Sequence, residues 1–202
     1  MERKEAINRL TRLAGRELHD LAREYGVAVR RDGKVNKGWA GHVFERYLGL
    51  PRNSAQSPNF GSWELKSVPL KYKKDGELTV KETMAITMID SVNVCQKEFE
   101  DSHLLAKLRK AVVVFRTVGE TVDDPTYVHS VVALDLKGDL YEQVKKDYDL
   151  VRSVLLDSDK GFDFLTGEMG VYIQPRTKGQ GHGSKTRAFY ARTKFLKEFL
   201  NL

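Results

Sequence analysis

The chain has 202 residues, 34 Lys plus Arg against 28 Asp plus Glu for a formal charge of +6, 41% hydrophobic residues and a single cysteine. That length and apolar content exclude a disordered polyelectrolyte, and the lone Cys95 excludes an intramolecular disulfide framework and a Cys-cluster zinc site, reading instead as a small buried apolar side chain. No apolar run approaches the roughly 20 residues that span a bilayer, and Met1-Glu2-Arg3-Lys4-Glu5 lacks the apolar stretch of a secretory signal, so the expectation is a cytoplasmic protein without a membrane partner.

From Lys4 to Tyr25, Ala6, Leu10, Leu13, Leu18 and Leu21 recur near helical spacing, with Gly15 as a break between two short helices. Gly26 to Gly38 is polar and reads as loop. A helix is expected from Lys37 to Leu48, with Trp39, Val43, Phe44 and Tyr47 as its apolar stripe. Gly38, Gly41 and Glu45 share another face, where the glycines would let a ligand or a sheet come close. Pro51 to Pro58 is loop.

Trp63 to Val68 alternates like a strand, which puts Glu64 and Lys66 on one side about 7 Å apart along the chain. Lys71 to Gly76 reads as a hairpin turn and Thr83 to Ile89 as a buried strand. Further strands are expected at Ala111 to Val118, Val128 to Leu134 and Gly170 to Gln174. Helices are expected at His103 to Lys110, Asp139 to Leu156 and Lys194 to Leu200. Strands and helices mix without a regular βαβ beat, which gives an α/β or α+β fold around a central mixed sheet. The positive charge concentrates late: Arg176, Lys178, Lys185, Arg187, Arg192, Lys194 and Lys197 lie close together, with Glu198 beside them. Such a segment suits a polyanion without demanding one.

Hydrolysis of a phosphodiester with a hard divalent ion needs convergent oxygen ligands and a nearby cation to stabilise charge or orient water. Glu64-x-Lys66 on one strand supplies one of each, although such a triplet is common by chance. Its context is more specific, because the strand follows Ser57-Pro58-Asn59-Phe60, where a nuclease motif of the PD-(D/E)xK type has Pro-Asp, and the preceding helix carries Glu45.

Three blocks in order, Asn36-Lys37-Gly38-Trp39-Ala40-Gly41, Phe44-Glu45-Arg46-Tyr47-Leu48-Gly49 and Trp63-Glu64-Leu65-Lys66-Ser67-Val68-Pro69, resemble the family of the MutH mismatch-repair endonuclease and the Sau-type GATC restriction endonuclease. The likeness extends to the opening helix pair, to Ser102-His103 through Lys107-Leu108, and to Ile173 through Leu200.

The resemblance implies a restriction-endonuclease-like core with two lobes around a DNA cleft. The whole of 1–202 would be one endonuclease unit, with a catalytic lobe over about 1–100 and a DNA-recognition lobe over about 101–202. It implies Mg²⁺ held by residue 59, Glu64 and the Leu65 carbonyl, Lys66 as the active-site lysine and Glu45 as the helix carboxylate. Lys107 would lie near the scissile phosphate, a helix-surface lysine being the alternative.

Asn59 stands where the family has aspartate, and an amide oxygen is a neutral, weaker ligand. A chain so built should bind DNA and cut it poorly. The flanking Pro58 and Phe60 fit the motif, so the position reads as an engineered replacement of aspartate. A natural inactive member, or recruitment of Asp75, Glu77 or Glu82, is the alternative.

Gln174 to Lys185 follows a strand, is too glycine-rich for a helix and resembles the family's major-groove loop. In it Arg176 suits guanine and Gln180 adenine, with Gln174, Lys178, His182 and Lys185 as further DNA contacts. Arg187 and Tyr190 lie in a stretch resembling the one that approaches the DNA near the methylation-sensitive adenine.

The reading is a type II restriction endonuclease acting on double-stranded DNA, plausibly as a homodimer on a palindromic site. A MutH-like strand-nicking enzyme and a non-catalytic DNA-binding module are the alternatives.

Overall fold

The computed structural model describes residues 1–50, 58, 60–157, 161–179 and 186–200, and every structural statement below concerns these. The chain opens with α1 (Arg3–Thr11) and α2 (Leu18–Glu24), then a short hairpin of β1 (Arg30–Arg31) and β2 (Lys34–Val35), and α3 (Trp39–Tyr47). The long strand β3 (Glu64–Tyr72) turns into β4 (Leu78–Val80) and is followed by β5 (Met84–Met88), α4 (Ser91–Gln96) and α5 (His103–Leu108). Next come β6 (Lys110–Thr117), β7 (Tyr127–Asp135) and the long α6 (Gly138–Leu156). The end is β8 (Ile173–Thr177), β9 (Arg187–Ala191) and α7 (Thr193–Lys197).

The expected mixed architecture forms. A four-stranded sheet has the order β4-β3-β6-β7, in which β3 and β6 run parallel and the other pairs antiparallel. Both of its faces are covered, which is why β6 reads as a nearly continuous apolar run. Leu65, Val112, Val114 and Val128 face α1, α2 and α3 in one core, while Val68, Leu70, Ala111, Val113 and Phe115 face a second core with Leu104, Leu105, Tyr148 and Phe189. Because side chains alternate along β3, Leu65 commits to the first core and Glu64 and Lys66 to the opposite face. A second sheet, β5-β9-β8, is antiparallel and contributes Met84, Ile173, Phe189 and Ala191 to that second core.

Strand pairing crosses residue 100: the four-stranded sheet takes β6 and β7 from beyond it, and the three-stranded sheet takes β5 from before it. Some expected elements shift. The polar stretch before α3 holds the β1-β2 hairpin, turned through Asp32 and Gly33 at φ +49° and +73°. The strand expected from Gly170 begins at Ile173, and Cys95 is half-buried, its Sγ 3.7 Å from the Leu155 carbonyl oxygen. Nothing lies within 4 Å of where a Gly41 Cβ would stand, so no sheet approaches α3 there. No helix is long and apolar enough to cross a membrane.

Candidate active site

The centre of the site is Glu64, at the first position of β3 and only 2% exposed. Its Oε1 accepts from the Lys66 ammonium two residues on at 3.0 Å, and its Oε2 from the Lys107 ammonium at 3.1 Å. Lys107 arrives from α5. The Ser102 hydroxyl caps that helix by accepting from the Leu105 N–H, and the buried Leu104, Leu105 and Leu108 fix its roll, so Lys107 is turned inward and is 7% exposed. The helix-surface alternative for Lys107 therefore does not hold. One carboxylate between two ammonium groups leaves the cluster with a net positive charge, which suits an anion such as a phosphate.

The Lys66 ammonium also donates to the main-chain carbonyl of Ile86 at 3.3 Å. Burial pushes Lys66 below the ordinary lysine range; the Glu64 carboxylate draws it back up, and the charges of Lys107 and Lys178 push it down further. Glu45 lies on α3, which packs against β3, and lines a cavity of about 270 Å³ with His42, Arg31 and Arg46. Asn59 lies outside the described residues. Asp75 and Glu77 sit in the turn past Tyr72, at the far end of β3, roughly 26 Å of extended chain from Glu64, and Glu77 pairs with Lys73. They are not part of this site.

Lys66 opens into a cleft of about 580 Å³ that runs between the two sheets and is also lined by Lys37, Glu82, Thr83, Arg176 and Tyr190. On the second sheet Gln174 and Ala85 both pair with Tyr190, so the three share one face, of which Ala85 and Tyr190 line the cleft, while Ile173 and Phe189 point to the core. The Arg176 guanidinium lies over the Tyr190 ring at 5.6 Å and donates to the Thr83 hydroxyl at 3.0 Å. Gln174 is 5% exposed, buried within its strand rather than presented outward. Lys178 is exposed just past β8, and Arg187 turns toward the Leu165 carbonyl at 3.4 Å. Gln180, His182 and Lys185 lie outside the described residues.

Two cleft residues carry no primary role in the sequence pattern: Lys37, just before α3, and Glu82, which the sequence offers only as a substitute ligand. Arg116, which lines the neighbouring cavity and donates to the Ser67 hydroxyl at 3.2 Å, has the signal of a charge inside an apolar strand.

Among the described residues no three His, Cys, Asp or Glu side chains gather as a metal cage. Oxygen donors are nonetheless present in the Glu64 carboxylate and the adjoining Leu65 carbonyl. They fit a hard divalent cation, which takes oxygen ligands and can fill its remaining positions with water.

A family model described as DNA mismatch repair enzyme MutH matches residues 48–147. The DNA mismatch repair protein MutH of Vibrio vulnificus is 27% identical over 97% of this chain and 91% of its own length. The type II restriction enzyme Sau3AI of Staphylococcus aureus is 25% identical over 83% of this chain, which spans only 37% of that larger protein. Among solved structures, the restriction endonuclease MvaI in complex with its cognate DNA substrate covers 98% of this chain at 15% identity, with a TM-score of 0.42. The motif blocks imply the same kinship, and the match to the Vibrio protein extends it over nearly the whole chain: the chain is similar to the MutH and Sau-type nucleases.

Proposed function

We propose that this chain is a DNA endonuclease that hydrolyses phosphodiester bonds in double-stranded DNA with Mg²⁺, and, within that class, a type II restriction endonuclease of the cytoplasm. The observation that carries the reading is the shared cleft: Lys66 of the buried carboxylate-ammonium cluster and Arg176 and Tyr190 of the second sheet line one groove. Chemistry and base reading need different residues brought to one duplex, and this groove supplies both.

In the proposed reaction Glu64, the Leu65 carbonyl and residue 59, were it aspartate, would hold the ion. When bound, the ion supplies Lewis-acid stabilisation of the phosphoryl oxygens and an acidified water. Lys66 orients the attacking water, Lys107 neutralises charge developing at the phosphate, and Glu45 assists from α3. Hydrolysis would leave a 5′-phosphate. Arg176 is suited to a guanine edge and Tyr190 to an apolar or stacking contact beside it. Lys37, Lys178 and the basic residues that follow serve phosphates.

Restoring the carboxylate by Asn59→Asp is the direct test, with a supercoiled plasmid and Mg²⁺. Cleavage should rise by orders of magnitude; if it does not, the nuclease reading is wrong. A linear product supports a restriction enzyme acting on both strands, as a homodimer on a palindrome or by two sequential nicks. The second reading, a MutH-like nicking enzyme, is favoured by the match to 91% of the Vibrio MutH length, and a nicked circle would support it. A salt-sensitive gel shift without any cutting would leave a non-catalytic DNA-binding module.

A further inference from the structure

The two sheets meet at the active site through a hydrogen bond whose acceptor sits in an irregular place. Along β5 and β9 the register runs Met84↔Ala191 and Ala85↔Tyr190, then steps to Thr87↔Phe189 and Met88↔Ala188. Ile86 is the extra residue of a β-bulge. Bulges bend a strand and re-aim its groups, at the cost of a regular ladder. β5 is also the edge of its sheet, so the bulge decides which main-chain carbonyl on the outer side faces β3. The carbonyl it delivers is that of Ile86, 3.3 Å from the Lys66 ammonium, which Glu64 holds from the other side at 3.0 Å.

We infer that Ile86 is a positioning residue: its carbonyl, aimed by the bulge, sets the Lys66 ammonium against Glu64 and ties it to the strand pair that carries Tyr190. The inference rests on the nuclease reading and adds a link between reading the target and cutting it. That link is continuous in the structure. Lys66 contacts Ile86, and Ala85, next to Ile86, pairs with Tyr190. Arg176 lies over Tyr190, and its guanidinium holds the Thr83 hydroxyl just before β5. Moving Arg176 toward a base edge therefore pulls on the same strand that places the lysine. A correctly read site would bring Lys66 to its working position, and a wrong one would leave it misplaced. A misplacement of about 1 Å costs about a hundredfold in rate.

The test is made in the Asn59→Asp chain. Deleting Ile86 removes the bulge, but that side chain is buried and the deletion can unfold the protein. The second variant therefore replaces the Ile86–Thr87 peptide bond with an ester, which weakens the carbonyl as an acceptor and leaves every side chain in place. Two readouts are taken on the folded ester protein. With neither DNA nor metal, NMR of ¹⁵N-lysine-labelled protein, with the Lys66 signal assigned by its loss in Lys66→Arg, should show several-fold faster exchange of the ammonium protons. With Mg²⁺ and a cleavable duplex, the single-turnover rate should fall about tenfold or more while Kd for that duplex changes less than about twofold. Unchanged exchange overturns the inference, as does a loss of rate matched by an equal loss of affinity. If the parent chain does not cut at all, the nuclease reading falls, and the exchange measurement alone decides whether Ile86 holds Lys66.

Discussion

Glu64 is a buried carboxylate between two lysines, and its charge has two effects that mutation separates. Replacing it with glutamine removes the oxygen charge that a divalent ion needs, so the Asn59→Asp, Glu64→Gln protein should lose at least about a thousandfold in cleavage relative to Asn59→Asp. The same change leaves the Lys66 and Lys107 ammonium groups facing each other without a counter-ion. Removing one partner of a buried pair costs about 3 kcal/mol, partly relieved here because Lys66 already releases its proton more easily than an ordinary lysine. The net expectation is a loss of about 2 kcal/mol in urea unfolding, with metal-free DNA binding in fluorescence anisotropy no weaker than before, since the change takes a negative charge out of the cluster and any proton lost from Lys66 at most offsets it. Weaker binding would mean that Glu64 organises the cleft rather than the chemistry. Lys107 shows where reading the sequence stops: a lysine on a short amphipathic helix looks the same whether it faces water or a carboxylate. Only the capping by Ser102 and the packing of Leu104, Leu105 and Leu108 determine which.

At the scale of elements, the strand that presents Arg176 is set by a pair of opposite charges. Asp147 on α6, 3% exposed, accepts from the main-chain N–H groups of Val171, Tyr172 and Ile173 at 2.8, 2.7 and 2.8 Å. From the other side Arg192 donates to the carbonyls of Gly167, Met169 and Gly170 at 2.7, 3.1 and 3.1 Å. Gly170 has a φ of +75°, and a Cβ there would overlap the Ile173 carbonyl oxygen. Asp147→Ala should therefore cost about 3 kcal/mol, and hydrogen exchange should speed up at residues 171–177 before it does in β6. Uniform exchange would deny the clamp a local role. Glu17 plays the matching part for α2. It caps the helix by accepting from the Asp20 N–H, and it accepts from the Thr126 N–H beside β7 while contacting the His19 ring at 2.7 Å. Burial alone would raise its pKa, but these partners outweigh it and hold the carboxyl down at about 2, against an ordinary 4.5. A depressed carboxylate contributes stability that is fully present above about pH 4.5 and lost as pH falls through about 2. Glu17→Gln should thus cost about 2 kcal/mol at pH 7, and the gap to wild type should close toward pH 2 in urea melts. Elements with strong periodicity were legible in the sequence: α3, α6, β6 and β7 fall within a residue or two of expectation and the opening stretch divides into α1 and α2, whereas β3 starts as expected but continues four residues past Val68 to Tyr72. The three-residue β4 and six-residue α4 went unseen, being too short to show a period, and β8 starts late because Asp147 holds the N–H groups of residues 171 and 172 in a bend ahead of the strand.

For the whole molecule, the decisive fact is that two sheets built from interleaved segments enclose one cleft, which no local pattern announces. Family resemblance supplied Glu64, Lys66 and Arg176 as separate positions; the pairing of β5 with β9 is what brings Thr83 and Tyr190 round to Lys66. The formal charge of +6 is modest, so binding a polyanion has to come from where the cations sit. Lys37 lines both this cleft and the neighbouring one of about 440 Å³ that holds Lys81 and Arg116, which, on the proposed function, would set it against the backbone of a duplex rather than at one base. Arg176 instead stands on the strand face shared with Tyr190. The two should separate in binding titrations at several salt concentrations in the absence of metal. Lys37→Ala should weaken all duplexes alike and lower the slope of log K against log salt by about 1. Arg176→Ala should cost about 1–3 kcal/mol on the preferred duplex and much less on others, so that the preference collapses. If both substitutions weaken every duplex equally, the second sheet contributes only charge to the groove, and sequence choice has to come from elsewhere in the chain.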